Sequence, residues 1–252
     1  MSKVPTARLD RLLANMGYGS RREIQQMMDM GWIVLDGKVL RDAALRVPIG
    51  PDLSSRMTVQ GKPLDPPAPL TLMLHKPLGY VCSHKEDGPR IYDLLPPRWQ
   101  MREPALSSIG RLDKETSGLL LITDDGGLLH RVISPKHHVP KRYLVTLDRP
   151  LEGHEAATFA SGTLMLEADD KPVLPARLEV LGPNQAYLTL TEGRYHQVRR
   201  MFAAIGNHVA ALHRDRIGGL GLPDVLKEGA YRLLTKADLV TIFEPGNQHS
   251  MV

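Results

Sequence analysis

Cysteine is nearly absent: the 252-residue chain has one, Cys82. A lone cysteine closes no intrachain disulfide and builds no cysteine-ligated zinc site, which fits a reducing compartment and an expected cytoplasmic location. Aromatic residues are scarce as well. Two Trp and three Phe are too few for a broad stacking platform along single-stranded nucleic acid. No apolar run approaches a membrane span, and the first thirty residues hold no apolar core of signal-peptide length. A membrane partner is therefore not expected. Nor is there a large excess of one charge: the formal net charge is +4 and the sequence pI about 9.2, a weak hint of nucleic acid on its own.

The placement of that charge says more. Residues 1–65 hold ten Lys and Arg against seven Asp and Glu, while the remainder holds 22 against 21. The cationic surplus sits in the first quarter of the chain. At its end, LDPPAP (Leu64 to Pro69) places three prolines in six residues, which no helix or central strand accommodates. The expected organisation is an N-terminal domain at 1–65, a proline linker at 66–69, a larger domain at 70–244 and a disordered tail at 245–252.

Within the first domain, Leu9, Leu12, Leu13 and Met16 follow the spacing of an amphipathic helix that Gly17 and Gly19 break. Ser20 and Glu23 form a capping box that opens a second helix, with Ile24, Met27 and Met28 inward and Gly31 as its end. WIVLDGKVL then reads as a hairpin around Asp36-Gly37. Arg8, Arg11, Arg21 and Arg22 lie on the helix faces. As a charge cluster alone they read as a solvated surface.

After the prolines, LTLMLHKP, YVCS, GLLLIT, RYLVTL, ARLEVLG and AYLTLTEG read as strands, and DGGLLHRVIS and YHQVRRMFAAIGN as helices. Many strands with few helices predict an α+β domain around a mixed, largely antiparallel sheet. Asp113, in GRLDKETSGLLLIT, stands just before a buried strand. It reads as a helix cap, as the partner of an arginine, or as a functional carboxylate. On a helical wheel Arg199 lies at the margin of the apolar stripe, from where its side chain reaches a buried carboxylate, while Arg200 points away.

Ten histidines invite a metal reading, but adjacent His137 and His138 seldom face one ion and no HExxH spacing occurs. No metal and no cofactor is expected. The acidic pair in TDDG, at 123 to 126, is more plainly a polar turn than a glycosidase pair. Arg194, Tyr195, His196 and Gln197 read equally as groove-lining residues or as the start of a helix.

Two resemblances gather these observations. RLDRLLANMGYGSRREIQQMMDMGWIVLDGKVL resembles the alpha-L (S-four-like) RNA-binding domain, which implies that Arg8, Arg11, Arg21 and Arg22 hold RNA phosphates. HKPLGYVCS, GRLDKETSGLLLIT, SPKHHVPKRYLVTL and EGRYHQVRRMFAAIGNHVAALHRDRIGGL, in that order, resemble the pseudouridine synthases, and among them the Rsu family. The resemblance spans nearly the whole chain. It implies Asp113 as the catalytic aspartate, Tyr143 as the residue stacking on the target base, Arg199 as the cation paired with the aspartate, and Arg111 as the side chain inserted into the RNA stack. Arg194 and His196 are further candidates for RNA contact.

The implied reaction is isomerisation of a uridine in 16S ribosomal RNA, of the uridine 516 type, with the base flipped out and no cofactor. The implied partner is 16S ribosomal RNA or a small-subunit assembly intermediate, met by a monomer. Two alternatives stand beside this reading: the same chemistry on 23S ribosomal RNA, and a non-catalytic RNA-binding assembly factor.

Overall fold

The computed structural model describes residues 4–244, so the expected tail at 245–252 lies outside the described residues. Two compact units make up the chain. The first takes the residues up to Thr71 together with Leu95–Ser107 and Thr123–Asp125; the second takes Leu72–Leu94, Ser108–Ile122 and the described residues from Gly126 onward.

In the first unit the leucine spacing forms helix Leu9–Asn15, with Leu9, Leu12 and Leu13 buried and Met16 closing the same core. The second helix, Arg21–Asp29, begins at the expected capping box. The Ser20 hydroxyl accepts the Glu23 N–H at 3.3 Å and the Glu23 carboxylate accepts the Ser20 N–H at 2.7 Å. Two otherwise orphaned donors are thus satisfied. Asp36 and Gly37, with φ of 50° and 76°, turn strand Ile33–Leu35 back into Lys38–Val39. Their sheet runs Lys38–Val39, Ile33–Leu35, Met57–Val59, Lys62–Pro63.

This unit is larger than the 1–65 expected from the prolines. Its extension rests on a buried ion pair between Arg102 and Asp124, 3.1 Å apart with side chains 2% and 1% exposed. Asp124 also accepts the Leu70 N–H at 2.6 Å, and Arg102 donates to the Pro66 carbonyl at 3.0 Å. Removing one partner of such a pair leaves a buried charge and costs about 3–5 kcal/mol. Sequence distance hides this contact; burial makes it decisive.

The second unit is built on a mixed nine-stranded sheet. Its main path runs Arg177–Gly182, Gln185–Leu190, Lys141–Leu147, Val209–Ile217, Ser117–Thr123, Thr71–Lys76, Tyr231–Leu233. Lys141–Leu147 is antiparallel to both neighbours, whereas Val209–Ile217 meets Ser117–Thr123 in parallel, pairing His213 with Ser117 and Arg214 with Gly118. Gly118 is required there. A Cβ on it would lie 2.2 Å from the Arg214 carbonyl oxygen, and its φ is 110°. Ser117–Thr123 is buried along its whole length, as its unbroken apolar run implies.

Of the helices packed on the sheet, two border the site. Gly126–Ile133 packs Leu128 and Val132 with Met73, Leu119 and Leu121. Gln197–Ala204 packs Val198, Met201 and Phe202 with Val145, Val209 and Leu212. Full burial of side chains of this size stabilises by roughly 1.5–3 kcal/mol each. Two expectations change. YVCS forms only an isolated bridge between Val81 and Arg90. VAALHRDRI, not read as a strand, forms the long one in the middle of the sheet. Among the described residues no helix is long and apolar enough to cross a membrane.

Candidate active site

Between two apolar cores of the second unit lies a cavity of about 810 Å³, lined by Val132 and Ile217 from one and Val198 and Leu212 from the other. Asp113 reaches it from the loop between Gly110 and Thr116. That loop is held from beneath by Lys76, the last residue of its strand and 0% exposed. The Lys76 ammonium donates to the carbonyl oxygens of Thr116 at 2.8 Å, Pro77 at 3.0 Å, Asp113 at 3.1 Å and Lys114 at 3.4 Å. Burial pushes its pKa down, and the nearby carboxylates of Asp113 and Glu115 oppose that push. Cys82 brackets the same loop: its sulfur donates to the Leu112 carbonyl at 3.3 Å and accepts the Leu112 N–H at 3.4 Å. Burial raises the thiol pKa, so Cys82 packs as a neutral group.

Around the Asp113 carboxylate the geometry is specific. Its Oδ1 lies 3.4 Å from His196 Nε2, with the two side chains 32% and 39% exposed. His196 takes a left-handed backbone, φ 48°, just before helix Gln197–Ala204. Its ring stacks on the exposed Tyr195 at 3.9 Å. Tyr143, on strand Lys141–Leu147, lines the same cavity. Its hydroxyl accepts from Arg214 Nη1 at 3.4 Å, and the guanidinium carbon lies 5.9 Å from the ring centre.

Arg214 is the cation of this site. It is 3% exposed, donates from Nε to the Leu119 carbonyl at 2.8 Å, and has a buried Nη2 with no hydrogen-bond partner. The pairing expected between Arg199 and Asp113 is not formed. Arg199 lies off the buried stripe of its helix and donates to the carbonyl oxygens of Val209 and Glu115, each at 2.8 Å. It lines a separate cavity of about 370 Å³ with Ser117, His208 and His213. Strand Val209–Ile217 alternates faces, so Arg214 enters the Asp113 cavity while His213 enters the other and bonds Ser117 Oγ at 2.8 Å.

Arg111 lines the rim of the Asp113 cavity. It is 66% exposed and forms an ion pair with Glu86 at 2.6 Å. Arg194 also lines the cavity, but four of its N–H donors are engaged. It bonds Asp169 at 2.8 Å, Glu192 at 3.2 Å, and the carbonyl oxygens of Lys171 at 2.7 Å and Pro172 at 2.5 Å. Arg194, with Arg200, holds the Asp169 carboxyl below the usual range. These bonds fasten the loop that carries Asp169.

The structure thus gathers Asp113, Tyr143, His196, Arg111 and Arg194 around one cavity, and leaves Arg199 out. Sequence reasoning missed Lys76, Lys141 and Arg214. For Arg214 the signal was present in LHRDRIGGL, but it depended on reading that segment as a strand.

In the first unit Arg8 is held by Asp10, at 2.9 and 3.2 Å. Arg11, Arg21 and Arg22 are exposed and form no ion pair among the described residues.

Residues 71–204 match the family model described as RNA pseudouridylate synthase, and residues 7–51 match the S4 domain. The chain is 42% identical over 239 residues to ribosomal small subunit pseudouridine synthase A of Escherichia coli strain K12, covering 93% of this chain and 99% of that one. It is 41% identical over 244 residues to an uncharacterised RNA pseudouridine synthase of Bacillus subtilis, covering 94% and 99%. A crystal structure of a pseudouridylate synthase superposes with a TM-score of 0.66 at 36% identity, covering 93% of this chain and 99% of that one.

Proposed function

Since the chain belongs to the RNA pseudouridylate synthase family and carries an S4 domain, we propose that it converts one uridine of 16S ribosomal RNA, of the uridine 516 type, into pseudouridine. The small-subunit substrate is supported by the name of the Escherichia coli relative, a small-subunit synthase. The carrying observation is the Asp113 carboxylate, open to a cavity of about 810 Å³ that also has Tyr143 and Arg214 on its walls.

The reaction breaks the bond from ribose C1′ to uracil N1, turns the base, and joins C1′ to C5. The C5 proton leaves and N1 takes one up, so the nucleotide keeps its composition and oxidation level. A carboxylate beside C1′ serves each available route: attack on C1′, stabilisation of an oxocarbenium-like species, or removal of the 2′ proton to give a glycal. Every route needs Asp113 ionised. His196 Nε2 stands 3.4 Å from its Oδ1, and Arg214 lines the same cavity. Tyr143 is the proposed stacking partner of the uracil and the relay for the C5 proton.

A stacked uridine must be flipped out, at roughly a few kcal/mol. Arg111 is placed on the rim for insertion into the gap. Its exposed ion pair with Glu86 is worth at most about 1 kcal/mol, so the guanidinium exchanges readily onto neighbouring bases. The unpaired Arg11, Arg21 and Arg22 anchor RNA phosphates, an interaction that positions without reading sequence.

The test is Asp113→Asn, with tritium release from RNA carrying 5-tritiated uridine as the readout. RNA binding stays near the wild-type value and turnover disappears. Multiple turnover by the variant overturns the assignment, and so does a wild-type protein that binds RNA without releasing tritium. Mapping pseudouridines in both ribosomal RNAs, with and without the gene, separates the 16S target from one in 23S RNA.

A further inference from the structure

The Asp113 cavity has a second cationic end. Lys141 opens strand Lys141–Leu147, paired with Leu190 on one side and Ile217 on the other. It and Tyr143 are two residues apart and both line the cavity, on one face of the strand about 6.6 Å apart. Apolar groups dominate its surroundings: Val132, Ile133, Leu190 and Ile217 line the same wall.

Among the described residues no anion answers this lysine. Three carboxylates line the cavity, and each is engaged elsewhere. Asp113 faces His196 at 3.4 Å, Glu86 holds Arg111 at 2.6 Å, and Glu192 accepts from Gln197 at 2.7 Å and Arg194 at 3.2 Å. The charged group whose field acts on Lys141 is another cation, Arg214. Burial first, and then Arg214, push its pKa down to about 8. At neutral pH it is still mostly an ammonium, half-buried and without a counter-ion. Burying a charge in that state is unfavourable; an incoming anion removes the penalty.

We propose that Lys141 seats a backbone phosphate of the RNA strand, the one adjoining the uridine that enters beside Tyr143. This rests on the reading of the chain as an RNA pseudouridine synthase. Lys141 is then a positioning residue. It fixes the ribose of the target nucleotide relative to Asp113 by holding its phosphodiester, and Arg214 adds field without direct contact.

The experiment couples a protein change to an RNA change. Full-length wild type, Lys141→Met and Lys141→Arg are tested on RNA fragments in which single linkages around the target uridine are replaced by uncharged methylphosphonates. Half-saturating RNA and maximal single-turnover rate are read separately. On natural RNA, Lys141→Met raises half-saturation about tenfold, and Lys141→Arg restores most of it. One methylphosphonate position costs wild type the same factor and costs Lys141→Met nothing more. If the two penalties multiply at every linkage, Lys141 touches no phosphate and the proposal falls. It falls equally if Lys141→Met lowers the maximal rate and removes a limb of the pH–rate profile, which makes the amine a proton acceptor. If wild type binds the RNA but converts none, the proposed reaction fails. The same coupling measured by equilibrium binding still decides the phosphate contact.

Discussion

The wholly buried Lys76 ammonium lies 3.1 Å from the Asp113 carbonyl oxygen and 2.8 Å from that of Thr116. The charge beneath the loop therefore shapes its main chain and leaves the Asp113 carboxylate directed at the cavity. Replacing Lys76 by Met takes the donor from the Pro77 and Thr116 carbonyl oxygens, while those of Asp113 and Lys114 keep the N–H groups of Thr116 and Gly79, at about 1–3 kcal/mol for each that stays buried and unmet. Lys76→Met is expected to melt at lower temperature. In the fraction that stays folded it is expected to lose about 100-fold in maximal rate, since a displacement near 1 Å costs that much. Thermal unfolding and single-turnover kinetics on one preparation check both, and a fully active variant refutes the positioning role.

Two arginines are expected to part company. Arg214→Lys keeps the charge but cannot meet both the Leu119 carbonyl and the Tyr143 hydroxyl, and its maximal rate is expected to fall about 100-fold or more. Arg199→Met gives up two carbonyl bonds and about 1–3 kcal/mol of stability, with its saturated rate close to wild type. Denaturant melts and saturated rates on both variants decide it, and the reverse pattern would restore Arg199 to the site.

In the first unit, Arg11, Arg21 and Arg22 replaced together by Gln are expected to weaken RNA binding and flatten its dependence on salt. Each phosphate left without its arginine lowers the logarithmic slope by roughly 0.9 on duplex RNA and 0.7 on single strands. Saturating RNA recovers most of the rate. A salt series with unchanged slope removes these arginines from the interface.

Lys141 carries a stability cost with a defined pH window. Its folded pKa, about 8, lies below the ordinary lysine value of 10.5. Below pH 8 both states hold the proton and the full penalty is present. Between pH 8 and 10.5 the folded protein has released a proton that the unfolded chain keeps, so stability rises with pH. RNA-free Lys141→Met is expected to melt above wild type at pH 7, by about 2–4 °C for each 1 kcal/mol relieved. The gap closes toward pH 10.5; one that stays constant denies the penalty.

What the sequence carried, and what it withheld, follows from the range of the interactions. The Ser20–Glu23 capping box, the Asp36-Gly37 turn and the apolar run Leu119 to Ile122 of the Ser117–Thr123 strand are local signals, and each sits where it was expected. Strand Val209–Ile217 was missed because three consecutive residues near its end, Arg214, Asp215 and Arg216, are charged, whereas central strands are usually apolar. Its polar partners lie far off in sequence: Arg214 donates to the Leu119 carbonyl at 2.8 Å and Asp215 accepts from Arg142 at 2.5 Å. With that strand unseen, the resemblance to the pseudouridine synthases implied Arg199, on a visible helix, as the partner of Asp113. The Arg102–Asp124 pair escaped for the same reason.

Val209–Ile217 also sets when the molecule becomes an enzyme. It lies between Lys141–Leu147 and Ser117–Thr123, both made before it, and its bond from His213 to Ser117 spans 96 residues of chain. Until it is inserted, two neighbouring strands present open edges to each other across a gap one strand wide. Closing contacts of such sequence separation is slow. A growing chain therefore exposes Asp113 and Tyr143 well before Arg214 exists. A chain truncated before Arg214 carries Asp113 and Tyr143 but lacks the buried cation on the wall of their cavity.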